Sequence, residues 1–99
     1  MLEHHDRAAF EGALGSTFRM DGDGDEATDI RLVACDSKID TPQQSCFSLL
    51  FNAPAETAPV QGVRRLVHPD LGEMDVFLVP IEKTDGKLLF EAVFNQLRA

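Results

Sequence analysis

Asp21, Asp23 and Asp25, separated by Gly22 and Gly24, place three carboxylates at the spacing of positions 1, 3 and 5 of a calcium loop. The rest of that pattern is missing. Position 6, which needs glycine, is Glu26, and position 12, which needs a bidentate glutamate, is Leu32. The flanks have strand periodicity instead of helical periodicity. The run reads as the solvated acidic tip of a hairpin, and no metal is assigned to it. Cys35 and Cys46 are too far apart for a zinc knuckle and lack a second Cys or His pair at ligand spacing.

The remaining reactive side chains are as sparse. His4 and His5 are adjacent near the start of the chain, and His68 opens the turn His68-Pro69-Asp70-Leu71-Gly72, where an imidazole commonly bonds a local backbone group. An enzyme centred on His68 would need a deep pocket with a carboxylate beside the ring. Ser45 and Ser48 flank an apolar stretch, but neither sits in a Gly-x-Ser-x-Gly elbow. Glu73 and Asp75 share a strand face beside a turn, where two carboxylates are solvated and ordinary. No glycine-rich phosphate loop is present, and the absence of Trp and Tyr leaves little for an aromatic cage or sugar platform. No catalytic residue, metal ligand or cofactor follows from these patterns.

The elements that must position these groups are mostly strands. Asp6 to Leu14 reads as one short helix, with Asp6 as N-cap, Phe10, Ala13 and Leu14 on its apolar stripe, and Gly15 as its stop. The period then changes to two. Phe18 and Met20 mark a first strand, and Ile30, Leu32 and Ala34 the inner face of a second, hairpin-linked one. A polar loop through Pro42 leads to a Phe-rich strand, Cys46–Phe51, and 52–59 is a loop with two prolines. Gly62–Val67 and Met74–Ile81 form a hairpin around a type I turn at His68-Pro69-Asp70 with a left-handed Gly72, and Asp85-Gly86 links Ile81 to a last strand, Leu88–Phe94.

These segments predict a mainly β (α+β) single domain spanning 1–99: six mostly antiparallel strands in up-and-down order, forming a small barrel or curved sheet with one short N-terminal helix. Its inner face is expected to hold Phe18, Ile30, Leu32, Phe47, Leu49, Phe51, Leu78, Phe90, Ala92 and Phe94. Cys35 ends one strand and Cys46 begins the next, so the two could lie across from each other on the outer face. Free thiols are nonetheless expected in a reducing compartment.

The segments Phe47-Ser48-Leu49-Leu50-Phe51-Asn52-Ala53-Pro54, His68-Pro69-Asp70-Leu71-Gly72-Glu73, Phe77-Leu78-Val79-Pro80-Ile81 and Glu91-Ala92-Val93-Phe94-Asn95, with Leu14-Gly15-Ser16-Thr17-Phe18 before them, carry a family likeness. Together they resemble a bacterial family of proteins of about this length classed only as a domain of unknown function. Its members are often encoded beside proteins resembling phage tail-collar or tail-fibre components. The resemblance implies a phage-derived accessory role and supplies no catalytic residues. Members of that family carry an aromatic where this chain has Arg64 and lack the Asp-Gly-Asp-Gly expansion.

Charge and hydropathy exclude several classes. The net charge of −8 is concentrated in residues 1–40, with ten acids against four bases, so a phosphate backbone is repelled and no nucleic-acid partner is expected. No apolar run is long enough to span a bilayer and the first residues lack a signal-peptide pattern, so a soluble, cytoplasmic protein is expected. Val76 to Val79 with Ile81, and Leu88 to Phe90 with Val93 and Phe94, put apolar groups on both sheet faces. Phe77, Val79, Leu89 and Val93 are therefore the candidate interface, to be covered by the helix, by a second copy or by another protein. A non-catalytic structural or interaction module is the favoured function. The alternatives are a small enzyme near His68 and a small-ligand-binding barrel, which would need an open apolar cavity of roughly 300 Å³ or more.

With only part of a ligand set in 21–26, millimolar calcium is expected to leave the melting temperature unchanged to within about 5 °C. A larger rise in a thermal melt would restore the calcium-loop reading.

Overall fold

In a computed structural model the chain is described over residues 7–21, 27–84 and 86–97. The elements are a helix α1 (Arg7–Glu11) and strands β1 (Thr17–Asp21), β2 (Ala27–Asp40), β3 (Gln44–Pro54), β4 (Gly62–His68), β5 (Gly72–Thr84) and β6 (Lys87–Leu97). All strand pairs are antiparallel, and the sheet closes on itself in the order β1-β2-β3-β6-β5-β4. The barrel of six strands with one short helix is the architecture expected from the strand periods.

The strand order is mostly up-and-down, as expected, and departs from it at one step, since β3 is followed in the ring by β6 and not by β4. Two three-stranded meanders, β1-β2-β3 and β4-β5-β6, are joined by β3–β6 on one side and β1–β4 on the other. β3 and β4 stand opposite each other in the ring, so 55–61 must cross the barrel end. Seven extended residues reach about 23 Å, which is enough to cross.

Side chains facing inward on every strand fill the interior. Phe18, Ile30, Leu32, Phe47, Leu49, Phe51, Leu66 and Leu78 are fully buried, as is Phe10 from the helix. Of the ten expected inner-face residues only Phe94 is half-exposed. It faces inward opposite Phe47 and stacks on that ring at 5.1 Å between centroids, but it lies on the part of β6 that runs beyond β5. Phe10 packs on both rings, 6.0 Å from Phe47 and 5.2 Å from Phe94, so α1 closes this end of the interior.

Several boundaries move. The helix is shorter than predicted: from Gly12 the chain tightens into i→i+3 bonds, Ala13 N–H to Phe10 C=O and Leu14 N–H to Glu11 C=O. Leu14 consequently leaves the apolar stripe and is exposed. The proposed cap, Asp6, lies outside the described residues, as do His4, His5, the acidic run from Gly22 to Glu26, and Asp85.

β2 continues to Asp40 because two bulges, at Leu32/Ala34 and Ser37/Ile39, let a polar segment stay paired with β3. The first bulge reverses the facing of the residues beyond it, so Ala34 lies outward opposite Leu50 while Cys35 turns inward opposite Leu49. Cys46 pairs with Ile39 on the outer face, so the two cysteines lie on opposite sides of the sheet and both are free. β3 likewise runs on to Pro54, which pairs with Lys87. The β4–β5 turn forms as the pentapeptide dictates: His68 pairs with Gly72, whose φ of 81° is a conformation that glycine alone adopts without cost.

Phe10→Ala is expected to lower unfolding stability by about 3–5 kcal/mol in urea denaturation, since it opens a cavity under two aromatic rings. Leu14→Ala, at an exposed position, is expected to change it by less than about 0.5 kcal/mol.

Candidate functional site

Three places in the fold bear on function: the His68 end of the barrel, a surface groove, and the outer face of β4, β5 and β6.

His68 ends β4 pointing inward and is buried. Its ring packs on Phe18, 4.6 Å between centroids. Nδ1 accepts hydrogen bonds from the backbone N–H of Asp70 at 3.0 Å and of Leu71 at 3.3 Å, which folds the turn back onto the ring. Two N–H groups aimed at Nδ1 require a lone pair there, so the proton of the neutral ring sits on Nε2. Nε2 lies 2.9 Å from Ser16 Oγ, and that hydroxyl donates in turn to the Ala13 carbonyl. The chain of donors ties the β4–β5 turn to the segment between α1 and β1.

Every hydrogen-bonding position of the imidazole is thus used in folding, and no carboxylate is among its partners. Ser45 and Ser48 are buried on β3 and do not hydrogen-bond His68. Glu73 and Asp75 are exposed and flank Arg65 at 3.5 and 3.4 Å, ion pairs of the solvated kind that contribute little.

Cys35 packs against the core near α1. Burial pushes its thiol pKa up, the Glu11 and Asp36 carboxylates push the same way, and the Arg7 guanidinium opposes them. The thiol stays protonated at neutral pH and is a poor nucleophile. Among the described residues no group of three or more His, Cys, Asp and Glu could hold a metal ion.

The barrel interior is lined with buried Phe, Leu and Ile side chains. A groove of about 520 Å³ lies against β1, β2, β3 and the start of β6, with Asp29, Arg31, Asn52 and Lys87 among its polar lining. Arg31 Nε already donates to the Gly15 carbonyl at 3.1 Å. The groove is large enough for a small molecule, but its walls are mixed and no set of buried polar groups converges in it.

The third place is the outer face named from the sequence. Phe77 is 51% exposed and Val93 61%, while Val79 and Leu89 are half-buried. Val63, opposite Phe77 on β4, and Ile81 extend the same apolar surface. The helix lies elsewhere, packing Phe10 against both Phe47 and Phe94 from the inner side, and Phe77 and Val93 stay exposed. Sequence reading missed Val63, which the alternation within Gly62–Val67 places outward, and the Ser16–His68 bond, which joins residues 52 positions apart.

Comparison with known proteins adds a family and nothing about chemistry. The model of a domain of unknown function, DUF6916, matches residues 5–94. No curated protein and no solved structure matches the chain. No described helix is long and apolar enough to cross a membrane.

The His68 geometry makes a spectroscopic prediction. Nitrogen NMR of the ring is expected to show a protonated Nε2 and an unprotonated Nδ1 at neutral pH. His68→Asn, which keeps an acceptor for the turn, is expected to be less destabilising than His68→Gln, and His68→Ala to cost about 2–4 kcal/mol. An Nδ1–H tautomer would refute the assignment.

Proposed function

The chain belongs to the DUF6916 family, whose function is unknown, and from that premise we propose that it is a non-catalytic interaction module that docks through the outer face of β4, β5 and β6. The observation that supports this is the exposed cluster of Val63, Phe77, Ile81 and Val93, continued by half-buried Val79 and Leu89. A solvated sheet face alternates apolar-in with polar-out, and this one breaks the rule on neighbouring strands. Isolated exposed valines need no explanation, but apolar groups adjacent across β4 and β5 do.

The charge around the cluster indicates what would fit it. Glu91 lies between Leu89 and Val93 on β6 and opposite Val79 on β5, and Glu82 lies further along β5. The complementary surface is apolar and edged by Lys or Arg, and the net charge of −8 favours such a partner over an acidic one. A phage-tail-like accessory role, implied by the family likeness, is compatible with a protein that docks without catalysing. The enzyme reading loses its support at His68, whose nitrogens are engaged in holding the turn.

Phe77→Lys is expected to leave the fold intact, because the side chain is exposed, and to weaken partner binding by about 2 kcal/mol, near thirtyfold. Affinity capture from the native host followed by reconstitution with the purified partner measures this, and binding should weaken with added salt. A partner held equally by Phe77→Lys and the parent chain would defeat the proposal.

A further inference from the structure

The barrel is incompletely laced, and each place where its ladder stops leaves an open strand edge. β6 pairs with β3 along its full length, from Lys87 to Leu97, but with β5 only from Lys87 to Glu91. β5 turns away with β4, so among the described residues no strand continues the ladder along Ala92–Leu97. The same splay opens β5 from Gly72 to Leu78 on its β6 side, and among the described residues β1 meets β4 at Arg19↔Val67 and Met20↔Leu66, with no described strand beside β4 from Gly62 to Arg65 on that side. β2 is open beyond Leu32, where its last partners on that side are Gly15 and Ser16.

Open edges invite another strand, and proteins block them with charges, bulges or proline. Three of the four edges here are blocked. β2 carries two bulges together with Asp36, Lys38 and Asp40; β5 carries Glu73 and Asp75; β4 carries Arg64 and Arg65. The fourth, Ala92-Val93-Phe94-Asn95-Gln96-Leu97, has no charge, no proline, no glycine and no bulge against β3. Six consecutive uncharged residues in a chain with 26% charged residues form the one stretch of open edge where two acidic copies can meet without opposing like charges.

We propose that the Ala92–Leu97 edge of β6 pairs antiparallel with the same edge of a second copy, joining the two β2-β3-β6 sheets into one six-stranded sheet across a two-fold axis. The pairing is isologous, so it closes at two copies instead of growing into a fibre. It sets a second strand beside Val93, which is 61% exposed in the single chain. The inference goes beyond the docking reading and is independent of it: the partner is the chain itself and the contact is a strand edge, not the outer face. It leaves Phe77 and Val63, which lie off this edge, for a different protein.

Light scattering on the purified chain is expected to give a concentration-dependent dimer mass. Amides in 92–97 are expected to exchange roughly tenfold more slowly at high than at low protein concentration. Because each copy carries −8, raising salt from about 0.02 to 0.5 M should tighten the dimer severalfold, opposite to the docking of a basic partner. Asn95→Lys and Asn95→Pro are each expected to return a folded monomer, and Phe77→Lys to leave the dimer intact. Loss of dimer in Phe77→Lys but not in the Asn95 variants would move self-association to the outer face, overturning the edge pairing while leaving the docking reading in place. A monomer at every concentration up to about 1 mM would overturn it outright.

Discussion

The ladder between β3 and β6 is the constraint on which the rest of the structure depends. It runs without a register shift from Gln44↔Leu97 to Pro54↔Lys87 and joins two meanders that neither hairpin turns nor short loops bring together. Each meander alone is a three-stranded sheet with one apolar face open to water. Pairing β3 with β6 turns those faces toward each other, and the row Phe47, Leu49, Phe51, Ala53 then meets Phe94, Ala92, Phe90, Leu88 at cross-strand distance. The opposite seam, β1 against β4, has two residue pairs among the described residues. The His68–Ser16 bond lies beside that seam and reinforces it, which explains why a buried histidine is kept where a leucine would pack more cheaply.

The same ladder accounts for the uneven wall of the barrel. β3 and β6 have 11 residues each and β2 has 14, whereas the described β1 and β4 have 5 and 7. Longer strands on one side project past the ring, so the body is drawn out to 41 Å along its longest axis against 22 Å along its shortest. α1 fills the concave side of that projection with Phe10. Arg7 ties it to Asp40 at 3.3 Å and to Glu11 at 3.2 Å, exposed pairs that orient the helix more than they stabilise it. A five-residue helix has no stability of its own, so the aromatic contact below it decides whether it forms.

How far the sequence discloses the fold depends on how local each signal is. The β4–β5 and β5–β6 turns were readable because Pro69, Gly72 and Gly86 restrict the backbone within a few residues, and both glycines take the left-handed φ their positions demand. The inner-face residues were readable because a period of two survives wherever one face is buried. β2 beyond Leu32 was not, because its bulges break that period and its side chains there are polar. The β3–β6 and β1–β4 seams were not, because the partnership of Phe47 with Phe94 leaves no mark near either residue. The outer apolar face was visible as a run of consecutive apolar residues in β5 and β6, but the distance of the helix from it depends on where Phe10 inserts, which only packing reveals.

The scarcity of uncommitted buried polar groups among the described residues has a structural cause as well as a compositional one. A small barrel closed by six strands spends its inward positions on volume, and here the inward polar groups are few and committed. His68 is bonded at both nitrogens, and Cys35 is kept as a thiol by burial and neighbouring carboxylates. Preorganised catalysis needs buried polar groups left partly unsatisfied by the fold so that a substrate can complete them. Among the described residues no buried side-chain nitrogen or oxygen lacks a partner. The groups that the fold leaves open among the described residues are of the opposite kind, exposed apolar side chains and one uncharged strand edge, and on these the docking and edge-pairing proposals rest.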